Sequence, residues 1–190
     1  QAEASATEVS VKSKKMLRIL VPLLILAVIG GIYLVKQNQE RAKAAAQLDL
    51  AGDAAFVLEE TTFDLAAYQA HGLPLILDFG AEDCVPCQQM RPALEAAHEG
   101  SLGKAVIKFF DVWKRPELAA GYPLRVVPTQ AFYLADGSPW MPGEELKDSG
   151  LNFSLYNHQD SGEHALTLHE GMLDEEDFRL ILADMGMQHE

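Results

Sequence analysis

The stretch LPLILDFGAEDCVPCQQMRPALEAA, residues Leu73 to Ala97, holds both a buried-strand pattern and the chain's only two cysteines. Leu73 to Phe79 is a continuous apolar run with one late acid, Asp78, which suits a strand covered on both faces. Cys84 to His98 reads as a helix with Met90, Leu94 and Ala97 on one side. The cysteines open that helix. A sulfur there faces unpaired backbone N–H groups and the positive end of the helix dipole, and both favour thiolate over thiol. A cysteine pKa of ~8.5 falls to ~3.5–7.5 in such places. The thiolate is the nucleophile of disulfide exchange. The spacing lets Cys84 attack a substrate disulfide and Cys87, one turn on, resolve the mixed disulfide. Cys84 is expected to be exposed and Cys87 covered.

Outward from this block the elements alternate. Thr62 to Ala70 is a short helix candidate, Val106 to Val112 a second buried strand, and Pro116 to Ala120 a short helix opened by proline. Thr129 to Leu134 is a third strand closed by the turn signal Asp136-Gly137. Ala165 to Leu168 pairs beside it, and Asp174 caps a last amphipathic helix to Met185. A short strand is expected near Ala55 to Leu58. The order implies an α/β domain whose sheet has parallel pairs covered by helices. Ser138 to His164, rich in Gly, Asp, Ser and Asn, reads as a long insert with little regular structure.

The block resembles the thioredoxin family. Asp78 matches that family's buried strand acid, and Pro92 its proline five residues after the second cysteine. Val127-Pro128-Thr129 before a strand is similar to its cis-proline loop, with Tyr122 and Arg125 ahead of it, and His169-Glu170-Gly171 to its closing strand. The resemblance covers residues 52–190 apart from the insert. It implies a thioredoxin-like fold, a central mixed sheet flanked by helices. It implies that Asp78 helps deprotonate Cys87, and that Pro128 is cis and leaves the Val127 backbone for a substrate strand. Val85 and Pro86, between the cysteines, complete the expected substrate-binding set with Val127 and Pro128. Departures are Asp83 and Val85, where the family's common motif has tryptophan and glycine, and Gly80, where an aromatic is usual. Asp83 puts a negative charge beside Cys84 and opposes the helix dipole.

The 190 residues are 48% hydrophobic and carry a net charge of −13, enough for one globular core and too acidic for nucleic acid as main partner. Two cysteines three positions apart form no disulfide framework of the secreted-domain type. Residues 1–45 hold seven Lys/Arg against three acids, a net of +4, which leaves −17 for the remainder. Met16 to Val35, MLRILVPLLILAVIGGIYLV, is apolar all round with Arg18 near its edge, and a helix of that length spans a ~30 Å bilayer core. An uncleaved anchor is preferred over a signal peptide, whose apolar run would be ~7–15 residues. The expected organisation is therefore a cytoplasmic segment 1–15, a transmembrane anchor 16–35, a linker 36–52 and a thioredoxin-like domain 53–190 with insert 138–164. Four cations before the anchor and three after it lean toward a cytoplasmic amino terminus and an extracytoplasmic (periplasmic) redox domain.

These readings give an expected function: a membrane-anchored thiol–disulfide oxidoreductase reducing protein disulfides through Cys84 and Cys87, without cofactor or metal. Its expected partners are oxidised proteins and a membrane electron-donor protein. Two alternatives stay open, a disulfide oxidant or isomerase for secreted proteins and a metal-delivery module using the CxxC with a histidine. His158, His164 and His169 are the histidines weighed for it.

Overall fold

The computed structural model describes residues 28–39, 52–147 and 149–187. The chain divides into two units, Gln1–Ala46 and Gln47–Glu190.

In the first unit a helix, α1, runs over residues 28–39. The membrane anchor expected at 16–35 is corrected here: among the described residues no helix is long and apolar enough to cross a membrane. At ~1.5 Å per residue the described stretch of α1 extends about 18 Å, short of a ~30 Å hydrocarbon core. Residues 1–27 and 40–51, which include most of the expected anchor and linker, lie outside the described residues. The expected membrane contact, membrane electron donor and extracytoplasmic placement all rested on the anchor and are withdrawn with it.

The second unit is a six-stranded mixed sheet in the order β1-β3-β2-β4-β6-β5. Its strands are β1 (Glu59–Glu60), β2 (Leu75–Gly80), β3 (Val106–Asp111), β4 (Thr129–Tyr133), β5 (Phe153–Asn157) and β6 (His164–Glu170). β1 and β2 both run parallel to β3, whereas β4, β6 and β5 continue antiparallel from β2. Helix α2 (Leu65–Gln69) precedes β2, α3 (Val85–Gly100) follows it, α4 (Glu144–Lys147) follows β4, and α5 (Glu175–Asp184) ends the described fold. This is the central mixed sheet flanked by helices that the thioredoxin resemblance implies.

The strand period of two sorts the core into two layers. Ile76, Ile107 and Phe132 pack with Met90 and Leu94 of α3 and Phe178, Ile181 and Leu182 of α5. Leu75, Leu77, Phe79, Val106 and Phe110 face the other way, onto Tyr68 of α2 and Leu118. Every residue of β2 is buried, Asp78 included, as expected of a strand covered on both faces.

Three local differences from the sequence reading have physical causes. The strand expected at 55–58 is a 3-10 turn, Ala54–Phe56, because Asp53 caps it by accepting from the Ala55 N–H at 2.9 Å. Pairing starts later, at two glutamates. The fully buried Lys108 secures the second: its Nζ donates to Glu60 Oε1 at 2.7 Å and to the Val57 carbonyl at 2.7 Å. The expected insert is woven into the fold. β5 lies in it and pairs with β6 as the edge strand, and Trp140 and Leu146 are buried in the core.

Candidate active site

Cys84 and Cys87 form a disulfide with Cα atoms 5.2 Å apart. The buried strand β2 delivers the chain to the short Ala81–Asp83 link, and α3 starts at once. Cys84 is the N-cap of α3, and its Sγ accepts the Cys87 backbone N–H at 3.2 Å. Pro86 stands in the first turn, where its missing N–H costs no helix bond. The first sulfur thus sits against an orphan donor of the helix end, the arrangement that favours a thiolate on reduction.

The expected exposure of Cys84 is corrected: Cys84 is 3% and Cys87 5% exposed. The cause is the loop before β4. Its Val127–Pro128 peptide is cis, and the Val127 carbonyl oxygen lies 3.7 Å from Cys84 Sγ. Ala81, Cys84, Cys87 and Val127 form a small apolar cluster around the disulfide. Beside it runs a shallow groove of about 480 Å³ whose walls include Val85, Pro86, Trp113, Val126 and Val127. Val85, Trp113 and Val126 are 62%, 59% and 52% exposed, an apolar rim next to a reactive bond. The structure therefore brings together Cys84, Val85, Pro86 and Val127.

Asp78 lies on the opposite, interior side. It is fully buried on the β2 face that also carries Gly80, and a Cβ added at Gly80 would lie 3.5 Å from Cys87 Sγ. Burial pushes the Asp78 carboxyl up to about 7, against the opposing pull of its hydrogen bond from Gln130 and the charge of Arg91. Gln130 Nε2 donates to Asp78 Oδ1 at 2.7 Å.

Trp113, Gln130 and Asp111 are site residues that the sequence reading did not single out. Asp111 Oδ2 accepts from the Glu82 N–H at 3.0 Å, and its Oδ1 from the N–H groups of Trp113 and Lys114 at 3.1 and 2.9 Å. One carboxylate thus ties the link before Cys84 to the loop carrying Trp113. The late acid of VIKFFD was the visible signal. Arg125, expected ahead of the proline loop, makes a two-pronged ion pair with Glu170 at 2.8 and 2.7 Å. Among the described residues no three His, Cys, Asp or Glu side chains group as a metal site. His164 instead meets Thr167 Oγ1 at 2.9 Å and His169 the Asn152 carbonyl at 3.1 Å.

The family model described as thioredoxin matches residues 54–149, half of the chain. The chain belongs to the thioredoxin family. It is 40% identical over 57 residues to a probable thioredoxin-2 of Caenorhabditis elegans, covering 30% of this chain and 39% of that protein. It is 32% identical over 57 residues to a thioredoxin of Rickettsia bellii, covering 30% of this chain and 54% of that protein. The chain thus spans about half the length or less of these relatives. Identity to a Staphylococcus aureus thioredoxin is 34% over 83 residues, 44% of this chain and 78% of that one. Among solved structures, chloroplastic thioredoxin z is similar at 22% identity and a TM-score of 0.47, covering 68% of this chain and 93% of that chain. The Cys84–Cys87 disulfide and thioredoxin membership together support thiol–disulfide redox chemistry at this site.

Proposed function

We propose that this protein is a thiol–disulfide oxidoreductase that reduces disulfides in protein substrates. The observation that carries the reading is the fully buried Asp78 carboxyl, pushed up to about 7, two residues along the same strand face from Gly80, where an added Cβ would lie 3.5 Å from Cys87 Sγ. A base poised near neutrality suits proton removal from the resolving thiol. In this reading the Cys84 thiolate attacks one substrate sulfur, the substrate S–S bond breaks, and the other substrate sulfur leaves as a thiolate. Cys87 gives its proton to Asp78 and attacks Cys84 Sγ. The mixed disulfide breaks, the second substrate thiolate leaves, and the Cys84–Cys87 bond forms. Two electrons pass to the substrate, and a dithiol reductant must restore them. Val85, Pro86, Val127 and Pro128 hold the substrate segment, with Trp113 as an added apolar contact.

The test is reduction of insulin with dithiothreitol as electron source, together with trapping by Cys87→Ser. The variant should accumulate a mixed disulfide through Cys84, and Cys84→Ser should not. A Cys84–Cys87 couple near ~−270 mV against glutathione fits a reductase, whereas a value near ~−120 mV would make the protein an oxidant. Absence of both insulin reduction and trapped species removes the proposal.

A further inference from the structure

Five residues stand in one row across the sheet, each opposite the next in register: Phe109, Asp78, Gln130, His169 and Phe153. Residues so paired lie on one face with Cβ atoms about 4.5–5.5 Å apart. The three polar members are buried, at 0%, 0% and 6% exposure. Each has one side-chain atom without a hydrogen-bond partner: Asp78 Oδ2, Gln130 Oε1 and His169 Nε2. Buried polar atoms are nearly always paired, so three orphans in adjacent positions of one row need an explanation.

All three are acceptors while Asp78 is ionised. The Gln130 amide is oriented by its nitrogen, which donates to Asp78 Oδ1 at 2.7 Å and lies 3.4 Å from the Gly171 carbonyl and 3.6 Å from Met90 Sδ. That leaves Oε1 as the bare carbonyl end. His169 Nδ1 faces the Asn152 carbonyl at 3.1 Å, so in a neutral ring Nδ1 carries the hydrogen and Nε2 is a lone acceptor. What the row lacks is a donor. A proton on Asp78 Oδ2 supplies one, on the residue that stands directly opposite Gln130 across the sheet.

We infer that Gln130 is a positioning residue that holds Asp78 in both of its proton states. Its N–H donates to Oδ1 of the carboxylate, and its carbonyl accepts the O–H when Oδ2 is protonated. This deepens the reductase reading and rests on it for its kinetic consequence. When Cys87 attacks Cys84, the Cys87 S–H bond breaks and an O–H bond forms at Asp78 Oδ2, with the substrate sulfur leaving with the electron pair. Gln130 keeps the carboxylate affordable before that step and receives the new O–H after it.

The groups facing Asp78 are few. Helix α3 brings Arg91, whose charge favours the carboxylate, and Cys87, whose Sγ would lie 3.5 Å from a Cβ on Gly80, two residues along the strand face that carries Asp78. β3 presents Phe109, β6 adds His169 beyond Gln130, and α5 packs on this face through the apolar Phe178 and Ile181. Of these partners only Gln130 bonds the carboxyl directly among the described residues. Removing its amide leaves the buried charge with Arg91 alone.

The experiment is an NMR titration of the Asp78 carboxyl carbon in the oxidised full chain, wild type against Gln130→Met, a substitution of similar volume. The wild-type midpoint is expected near 7 and the variant's about one unit or more higher, a tenfold weaker acid. The pH profile of insulin reduction should move upward with it, and on an Asp78→Asn background Gln130→Met should leave the profile unmoved. A midpoint unchanged in Gln130→Met overturns the inference. Should that variant not fold, the side-chain amide signals of wild-type Gln130 must follow the Asp78 midpoint; signals flat across it overturn the inference equally. The two readings fail separately. A wild type that never reduces insulin removes the function and leaves the carboxyl titration standing, whereas normal activity with a Gln130-independent titration removes only the positioning role.

Discussion

Trp140 Nε1 donates to Asp184 Oδ2 at 2.8 Å, and the same oxygen accepts the Gly143 N–H at 3.1 Å. The insert after β4 is thereby fastened to the last helix, with Trp140 only 1% exposed and ringed by Phe132 and Phe153 at 5.2 Å each. The segment is part of the core, so its loss is a folding defect. Trp140→Ala should cost about 3–5 kcal/mol through the cavity it leaves. Asp184→Ala should cost about 1–3 kcal/mol by leaving the indole N–H and the Gly143 N–H unpaired. Urea denaturation of the two variants measures both, and a Trp140→Ala protein as stable as wild type would refute the assignment.

Asp78 predicts a pH-dependent stability of definite sign. Its native pKa is about 7 against an ordinary 3.8, so between those values the folded chain binds a proton that the unfolded chain has released. Its contribution is fully present below pH 3.8 and is lost as the pH rises through about 7. Asn is the isostere of the neutral acid and never pays for ionisation. Asp78→Asn should therefore match wild type near pH 4 and exceed it at pH 8 by on the order of 4 kcal/mol. The comparison needs denaturation curves of the oxidised proteins at the two pH values. An equal difference at both would show that the carboxyl titrates normally.

How far these features were legible in the sequence follows from the physics of each. LPLILDF and VIKFFD announce strands because burial on both faces demands mainly apolar runs, here interrupted only by Asp78, Lys108 and the closing Asp111. The active-site turn was legible because Cys84 and Cys87 sit where a buried strand must give way to an amphipathic helix. β5 was not: FSLYN is half exposed, and its Gly- and Asp-rich surroundings read as loop. β1 was not, because two glutamates make a strand only when Lys108, half a hundred residues away in sequence, meets one of them. Gln130 carries no mark at all within TQAFYL. Its importance comes from register, which places it opposite Asp78, and a period-two pattern fixes faces without fixing partners. The burial of Cys84 was missed for a similar reason, since the Val127 loop that covers it is remote in sequence.

Asp111 offers a test of how the groove is shaped. Its three accepted N–H bonds join Glu82, ahead of Cys84, to Trp113 on the groove rim. Asp111→Ala should loosen Trp113 without touching the sulfurs. Reduction of insulin should fall several-fold, whereas exchange with a small aromatic disulfide, which needs no groove, should stay near wild type. Stability should drop by about 1–3 kcal/mol for the unpaired donors. Equal losses with both substrates would place the effect at the cysteines instead.

Gly80 is one of the three positions, with Asp83 and Val85, at which the sequence departs from the common thioredoxin motif. A Cβ there would lie 2.6 Å from Phe109 Cε2 and 3.4 Å from its Cζ, so the Phe109 ring already fills the space beside the backbone. The ring is not free to step aside. The Arg91 guanidinium lies over it at 5.0 Å and is itself held by Glu59 at 2.5 Å and Glu95 at 2.6 Å. Gly80→Ala should therefore destabilise by about 1–3 kcal/mol, the usual range for overpacking. The glycine and the phenylalanine are one packing unit, so trimming the ring should relieve the clash. Gly80→Ala combined with Phe109→Leu should be more stable than the sum of the single losses by about 1 kcal/mol or more, as expected for residues in contact. Denaturation of the four proteins closes the cycle, and strictly additive losses would mean that the ring and the glycine do not share that space.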